Sequence, residues 1–284
     1  MNTTMNLVLQ GPQADPATLA RLAQLASPQR TTTLGAHALR CEGVVFSAEL
    51  KERIDAAAFA AGVDATFIAA GRSLADVRLV AMDMDSTLIT IECIDEIADM
   101  QGLKPQVSEI TEAAMRGELD FSESLRRRVA LLAGLDAGAL QRVYDERLRI
   151  SPGGEAMLKA VQAAGIKTLL VSGGFTFFTE RLGARLGLDY THANVLEIAD
   201  GKLTGRVVGG IVDAEEKKHT VERVCAELGI SPSQAVVMGD GANDLRMMSV
   251  AGLSVAFRAK PVVRAQADVA LNFSGLDGLL TILA

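Results

Sequence analysis

Residues 77–82 (Val-Arg-Leu-Val-Ala-Met) form an apolar run broken only by Arg78, and two carboxylates, Asp83 and Asp85, follow it two positions apart. A run that is apolar at successive positions suits a strand covered on both faces, and so a parallel sheet flanked by helices. The acids fall where such a strand gives way to a loop, the edge at which open α/β sheets bind ligands. Further short apolar runs at Thr168–Val171, Ala235–Met238, Leu253–Phe257 and Asp268–Leu271 are each followed by polar or glycine-rich residues and alternate with helical stretches. That order predicts a doubly wound parallel sheet.

Residues 91–150 carry helical periodicity without a strand signal, the pattern of an inserted helical cap. Residues 194–210 alternate around Asp200-Gly201, which predicts a hairpin forming a small flap. The N-terminal stretch has a different rhythm. It predicts a strand at Asn6–Gln10, a helix at Pro16–Ala26, one or two strands within Thr31–Phe46, a helix at Ala48–Ala61 and a strand at Asp64–Ala69. This is the order of a small α+β, ferredoxin-like domain. Gly71-Arg72-Ser73 reads as a linker, so the expected domains are 1–74 and 75–284.

A chain of 284 residues with 49% hydrophobic and 22% charged residues has enough apolar surface for these cores. A net charge of −7 argues against nucleic acid as a partner, because phosphate backbones require a basic face. Cys41, Cys93 and Cys225 are widely spaced and form no CxxC pair, which suits reduced thiols rather than disulfides or zinc. No basic-then-apolar leader and no charge-free apolar run of about 18 residues is present, so a cytoplasmic protein without a membrane partner is expected. His37, His192 and His219 belong to no motif and are expected to be structural or exposed.

Asp83 and Asp85 alone admit a solvated loop, a calcium loop or a catalytic pair. The calcium loop fails on spacing, since Leu88 and Ile94 stand where a glycine and a glutamate are required. A second element, Leu169-Leu170-Val171-Ser172-Gly173-Gly174, ends a strand in a hydroxyl and two glycines before a helix expected at Phe175–Leu186. Glycines let backbone N–H groups approach an anion, and a helix N-terminus adds about half a positive charge. An ordinary strand-to-helix turn has the same residues. No GxxxxGK[ST] loop occurs, which excludes a P-loop enzyme. A third element, Met238-Gly239-Asp240-Gly241-Ala242-Asn243-Asp244, offers hard oxygen ligands that suit Mg²⁺. It also reads as a tight turn in which Asp244 caps the next helix. A cation at Lys217 or Lys218 is by itself no more than a surface lysine.

Taken together, Asp83-Met84-Asp85-Ser86-Thr87, Ser172, Lys217 and Gly239 to Asp244 resemble the motifs of the haloacid dehalogenase-like (HAD) hydrolase superfamily, in its order. The resemblance covers about residues 78–284. Glu92-Cys93-Ile94-Asp95-Glu96-Ile97-Ala98, the segments Met115–Phe121 and Ser124–Val129, Val171–Phe175 and Gly187–Tyr190 resemble the branch that acts on O-phosphoserine. That likeness implies a Rossmannoid core with Asp83 as nucleophile, forming an aspartyl-phosphate, and Asp85 as general acid and base. It implies Mg²⁺ held by Asp83, Asp85 (through its backbone carbonyl) and Asp240. Ser172, Gly173, Gly174 and Lys217 would hold the phosphoryl oxygens, Asn243 would touch phosphate or substrate, and Asp244 would orient Lys217.

The same likeness makes Glu92 the partner of the substrate ammonium, with Met115 and Phe121 packed over the ligand. Helical spacing sets Phe121, Leu125, Arg128 and Leu132 on one stripe and leaves Arg126 and Arg127 solvated. An arginine on that stripe is a bidentate carboxylate clamp or a snorkelling side chain. The N-terminal domain resembles ACT-like accessory domains, which implies an amino-acid ligand or self-association. Rival expectations are a phosphatase or phosphotransferase for another small phosphomonoester, and a non-catalytic amino-acid sensor. Intact Asp83 and Asp85 argue against the sensor.

Overall fold

The computed structural model describes residues 3–284, and the chain opens with a four-stranded antiparallel sheet. Strand β1 (Thr4–Gln10), helix α1 (Pro16–Ala26), strands β2 (Arg30–Thr33) and β3 (Ala38–Val45), helix α2 (Ala48–Ala60) and strand β4 (Asp64–Ala69) assemble in the order β2-β3-β1-β4. Thr31–Phe46 thus holds two strands. Helix α1 starts where Asp15 accepts the Ala17 and Thr18 N–H groups and Pro16 pre-sets the first helical φ. Leu7 and Leu9 of the sheet bury against Leu19, Leu22 and Ile54 of the two helices.

Strand β5 (Leu79–Met82) begins a second sheet. The chain then leaves through α3 (Cys93–Asp99), α4 (Lys104–Met115), α5 (Phe121–Ala130) and α6 (Gly138–Arg142). Ile89 and Ile150 pair where this helical insertion departs and returns. Helix α7 (Gly154–Ala163), strand β6 (Lys167–Phe175), helix α8 (Thr176–Leu186) and strands β7 (Tyr190–Ala199) and β8 (Lys202–Val208) follow. The chain ends with α9 (Ala214–Glu227), β9 (Ala235–Gly239), α10 (Leu245–Met248), β10 (Leu253–Phe257), α11 (Pro261–Arg264), β11 (Val269–Leu271) and α12 (Gly278–Ile282).

The seven strands lie in the order β11-β10-β9-β5-β6-β7-β8, and every pairing is parallel except β7 with β8. Alternate residues explain why the strands read as continuous apolar runs. Val80, Met82, Leu170, Val236 and Met238 enter the core on one face, whereas Leu79, Ala81, Leu169, Val171 and Val237 enter the core on the other. No helix among the described residues is long and apolar enough to cross a membrane.

Two expectations are corrected. The 194–210 hairpin forms as expected, Val195–Ala199 pairing with Lys202–Val208, but its first strand is longer than expected, starting at Tyr190 and pairing in parallel with β6 as far as Asn194. Alternation around a turn looks the same in a free hairpin and at a sheet edge. Strand β6 also runs through Ser172, Gly173 and Gly174 to Phe175, with an irregular register after Val171. The glycines therefore sit in extended, bulged backbone rather than in a turn, and α8 begins at Thr176.

The expected linker leads straight into a packed interface. Asp64, 1% exposed, accepts N–H groups from Asn272 at 2.7 Å, Phe273 at 3.2 Å and Ser274 at 2.8 Å. Gln10 Nε2 donates to the Gly278 carbonyl at 3.0 Å, and Leu74 N to that of Leu283 at 3.0 Å. Asp64→Ala would strand one buried and two half-buried donors, with an unpaired buried donor costing about 1–3 kcal/mol. Urea denaturation of that variant should show a loss of about 3 kcal/mol. A loss below about 1 kcal/mol would mean that the two sheets do not depend on this carboxylate.

Candidate active site

Strand β5 lies where the strand order reverses, with β6 to β8 on one side and β9 to β11 on the other. A crevice opens beyond such a switch point. Asp83 extends the ladder one residue past β5, its N–H donating to the Met238 carbonyl at 3.0 Å. Its carboxylate folds back to accept the Met84 N–H on Oδ1 at 2.7 Å. The chain then turns through Ser86 at φ 55°, a left-handed conformation uncommon outside glycine. Asp85 is thereby brought to the same cavity as Asp83, with its Oδ1 accepting the Cys93 N–H at 3.1 Å from the first residue of α3.

Helix α9 brings in the cation. Asp213 caps it by accepting the Glu215 and Glu216 N–H groups, and Lys217 follows on the stripe that buries Thr220, Val221 and Val224. Lys217 Nζ lies 2.8 Å from Asp83 Oδ1 and 2.8 Å from Asp244 Oδ1, sealed from solvent. The second Asp244 oxygen accepts the Asp240 and Gly241 N–H groups at 3.1 and 3.0 Å. Thr87 Oγ1 donates to Asp240 Oδ1 at 3.0 Å.

These bonds decide what is left for a metal. Oxygens of Asp83, Asp240 and Asp244 lie within 4.8 Å of one another. Both Asp244 oxygens are already committed, to Lys217 and to backbone N–H groups. Among the described residues, Asp83 and Asp240 each keep an oxygen, Oδ2, without a protein donor. Hard carboxylate oxygens of this kind fit a divalent cation.

The charge balance points the same way. Burial, and then the Asp244 charge, raise Asp83 well above the usual carboxylate range, with Lys217 opposing. Burial, and then Glu92, raise Asp85 to about 7, and burial with Asp244 raises Asp240 to about 7. Burial by itself would discharge Lys217, but Asp244 and Asp83 hold its ammonium above the ordinary lysine value. One buried ammonium thus faces more negative charge than it can balance, and a divalent cation would restore Asp83 and Asp240 to their ionised form.

The cavity, about 480 Å³, lies between the sheet edge and the helical insertion. Asp83, Asp85, Ser172, Gly173, Gly174, Asp240 and Asn243 line the sheet side, and Glu92, Met115, Phe121 and Arg128 the helical side. Ser172 Oγ accepts the Gly174 N–H at 2.8 Å, so its own proton remains free to donate. A Cβ on Gly173 would stand 2.8 Å from Phe121 Cζ, and one on Gly174 would stand 2.8 Å from Asp85 Oδ2. Only glycine admits both neighbours. Burial and Ser86, whose Oγ donates to Glu92 Oε1 at 2.6 Å, act oppositely on Glu92, and burial wins by raising it.

Two predicted residues sit differently from the expectation. Lys217 stands behind Asp83 rather than in the cavity wall, because it is fully enclosed by the two carboxylates that it pairs with. Met115 lies at the rim and is 68% exposed, so its thioether is not packed down in this conformation. Arg128 keeps to its stripe with Phe121, half-buried, while Arg126 and Arg127 are exposed. Sequence reasoning passed over Ser86, Thr87 and Lys260. The first two stand inside the first motif but were given no role, and Lys260 lines the cavity shortly after β10. Asking what each neighbouring strand end carries would have found Lys260.

The sequence profile of haloacid dehalogenase-like hydrolases matches residues 77–252. A phosphoserine phosphatase from Polaromonas sp. strain JS666 is 59% identical over 215 residues, covering 74% of this chain and 91% of that protein. A HAD family hydrolase from Salmonella enterica subsp. enterica serovar Typhi superposes with a TM-score of 0.90 at 33% identity, over 98% of both chains. A phospho-aspartyl intermediate analogue of phosphoserine phosphatase superposes with a TM-score of 0.69 at 38% identity, over 73% of this chain and 99% of that one.

Removing the buried ammonium leaves Asp83 and Asp244 facing each other without a counter-charge. In metal-free buffer Lys217→Met should lower the unfolding free energy by about 3–5 kcal/mol, and added divalent cation should recover part of the loss. Urea denaturation of a variant within about 1 kcal/mol of the parent would show that the lysine is not the counter-ion.

Proposed function

Because this chain belongs to the haloacid dehalogenase-like hydrolases, we propose that its cavity hydrolyses O-phospho-L-serine to L-serine and phosphate through an aspartyl-phosphate on Asp83. One observation carries the reading: a single cavity holds the pair Asp83, buried, and Asp85, half-buried, on its sheet side and the opposite charges of Glu92 and Arg128 on its helical side. The first set suits a phosphoryl group, and the second suits the ammonium and carboxylate of an amino acid. The reaction is the last step of L-serine biosynthesis.

Lys217 and the Met84 N–H fix the plane of the Asp83 carboxylate, which attacks phosphorus as the bond to the seryl oxygen breaks. Asp85, poised at about 7, gives its proton to that oxygen. The same carboxylate then takes a proton from the water that attacks the acyl phosphate and frees Asp83. Ser172 Oγ–H, the Gly173 N–H and Asn243 hold the transferring oxygens in place, and the Gly174 N–H, which donates to Ser172 Oγ, orients that hydroxyl. Mg²⁺ would be held by Asp83, Asp240 and the backbone carbonyl of Asp85, and it supplies positive charge against the phosphoryl group. Asp244 orients Lys217. Phe121 closes on Gly173 and excludes water, while Met115 guards the rim.

Residues 75–284 form the catalytic domain, with the cap at about 91–150. Residues 1–74 form an accessory domain, whose strand order β2-β3-β1-β4 supports the ferredoxin-like, ACT-like reading. An amino-acid ligand or self-association through it rests on that topology alone. Buried, unpaired Cys41, Cys93 and Cys225 suit a cytoplasmic location.

Phosphate release from phosphoserine, phosphothreonine and sugar phosphates, with Mg²⁺ or EDTA, tests the assignment. Strong preference for a sugar phosphate would replace the substrate. In the same assay Asp83→Asn should lose more than about 10³-fold in kcat while unfolding like the parent, because its neutral amide cannot attack. Near-parental turnover would remove Asp83 as nucleophile. Arg128→Ala should lower kcat/KM for phosphoserine by about 10–100-fold, the worth of a charged hydrogen bond, and leave phosphoethanolamine, which lacks the carboxylate, within about threefold. Equal losses on both compounds would refute the clamp.

A further inference from the structure

Asn194 is 1% exposed and lies on β7, outside the cavity wall. Its side chain spans two segments that no regular ladder joins. Nδ2 donates to the Gly173 carbonyl at 2.7 Å, and Oδ1 accepts the Val212 N–H at 2.8 Å. The pairing of β6 with β7 is irregular between Val171 and Phe175, so the Gly173 carbonyl stands where the ladder is disrupted. A buried carbonyl without a partner is costly, and the amide of Asn194 replaces the missing strand bond. On the other side, Val212 directly precedes Asp213, the cap that starts α9 and sets the register of Lys217. Val212 is itself 2% exposed, and its carbonyl would lie 3.5 Å from a Cβ on Gly173.

We infer that Asn194 is a positioning residue for phosphoryl transfer: its amide locks the phosphate-facing backbone of Gly173 to the entry of α9, and so fixes the Gly173 N–H relative to Lys217. The inference rests on the reading that the Gly173 N–H holds the transferred phosphoryl group and that Lys217 orients the Asp83 carboxylate that attacks it. Asn194 touches no reacting atom. It acts by holding two elements at one separation, and a misplacement of about 1 Å in such a set costs about 10²-fold in rate.

The test compares kcat, KM and thermal midpoint for Asn194→Ala and Asn194→Asp beside the parent protein, on phosphoserine and on p-nitrophenyl phosphate. Asn194→Ala should lose about 10²-fold in kcat while KM moves less than about threefold. Asn194→Asp is the sharper probe and decides alone if the alanine variant does not fold. Its ionised carboxylate still accepts the Val212 N–H but sets an oxygen against the Gly173 carbonyl. Once protonated, it donates an O–H there as the amide does. The activity ratio of N194D to parent should therefore rise about tenfold or more as pH falls below about 6. His192, two residues away and 3.1 Å from Glu216 of α9, is common to both proteins and cancels in that ratio. A kcat within twofold of the parent in folded Asn194→Ala, or a pH-independent ratio for Asn194→Asp, overturns the inference. A parent protein active on p-nitrophenyl phosphate but inert on phosphoserine would sink the substrate assignment and leave the Asn194 comparison intact.

Discussion

The site is built around one ammonium that water cannot reach. Lys217 Nζ sits at equal distance from an oxygen of Asp83 and one of Asp244, with both carboxylates buried. Isolated charges are too costly to bury, and a pair is tolerated only when geometry and further hydrogen bonds offset desolvation. Asp244 meets that condition through the Asp240 and Gly241 N–H groups, and Asp83 through the Met84 N–H. One helix thereby fixes the loops that follow β5 and β9, the two strands that present the aspartates. The three-residue set remains net negative, and a divalent cation at the free oxygens of Asp83 and Asp240 would offset that charge.

Chemistry and selectivity are not divided cleanly between sheet and cap. Asp85 belongs to the loop after β5, yet its carboxylate is held by the N–H that opens the first cap helix. Glu92, one residue earlier, is held by Ser86 of the loop after β5. Phe121 rests where any Cβ on Gly173 would be. The loop after β5 and the start of the helical insertion are therefore tied together by hydrogen bonds running in both directions.

Much of this was legible because buried parallel strands leave an unambiguous trace. Continuous apolar runs ending in Asp83, Ser172 and Asp240 located three adjacent strand ends before any contact was known, since a strand buried on both faces has no other way to read. What stayed hidden depended on side chains meeting across the fold. Asn194 looks like any polar residue at an alternating position, and its value comes from a disrupted ladder that one-dimensional pattern cannot display. The enclosure of Lys217 was equally invisible, because a lysine four residues after a helix cap reads as solvated until the facing carboxylates are in place. The start of β7, Tyr190–His192, pairs with β6 rather than with the hairpin's second strand, so alternation around the turn leaves no trace of it.

The same accounting explains why the N-terminal sheet joins the molecule where it does. A parallel sheet ends in strands whose outer N–H and C=O groups invite pairing with another chain. At one edge, β8 is folded back as an antiparallel hairpin strand against β7. At the other, β11 is short, and the chain continuing from it presents the N–H groups of Asn272, Phe273 and Ser274 in succession. Asp64, the first residue of β4, takes all three on one buried carboxylate. A second strand could have covered this edge only by extending the sheet and creating another. A single carboxylate ends it instead, which ties the accessory sheet to the far flank of the fold and leaves the crevice beyond β5 open to substrate.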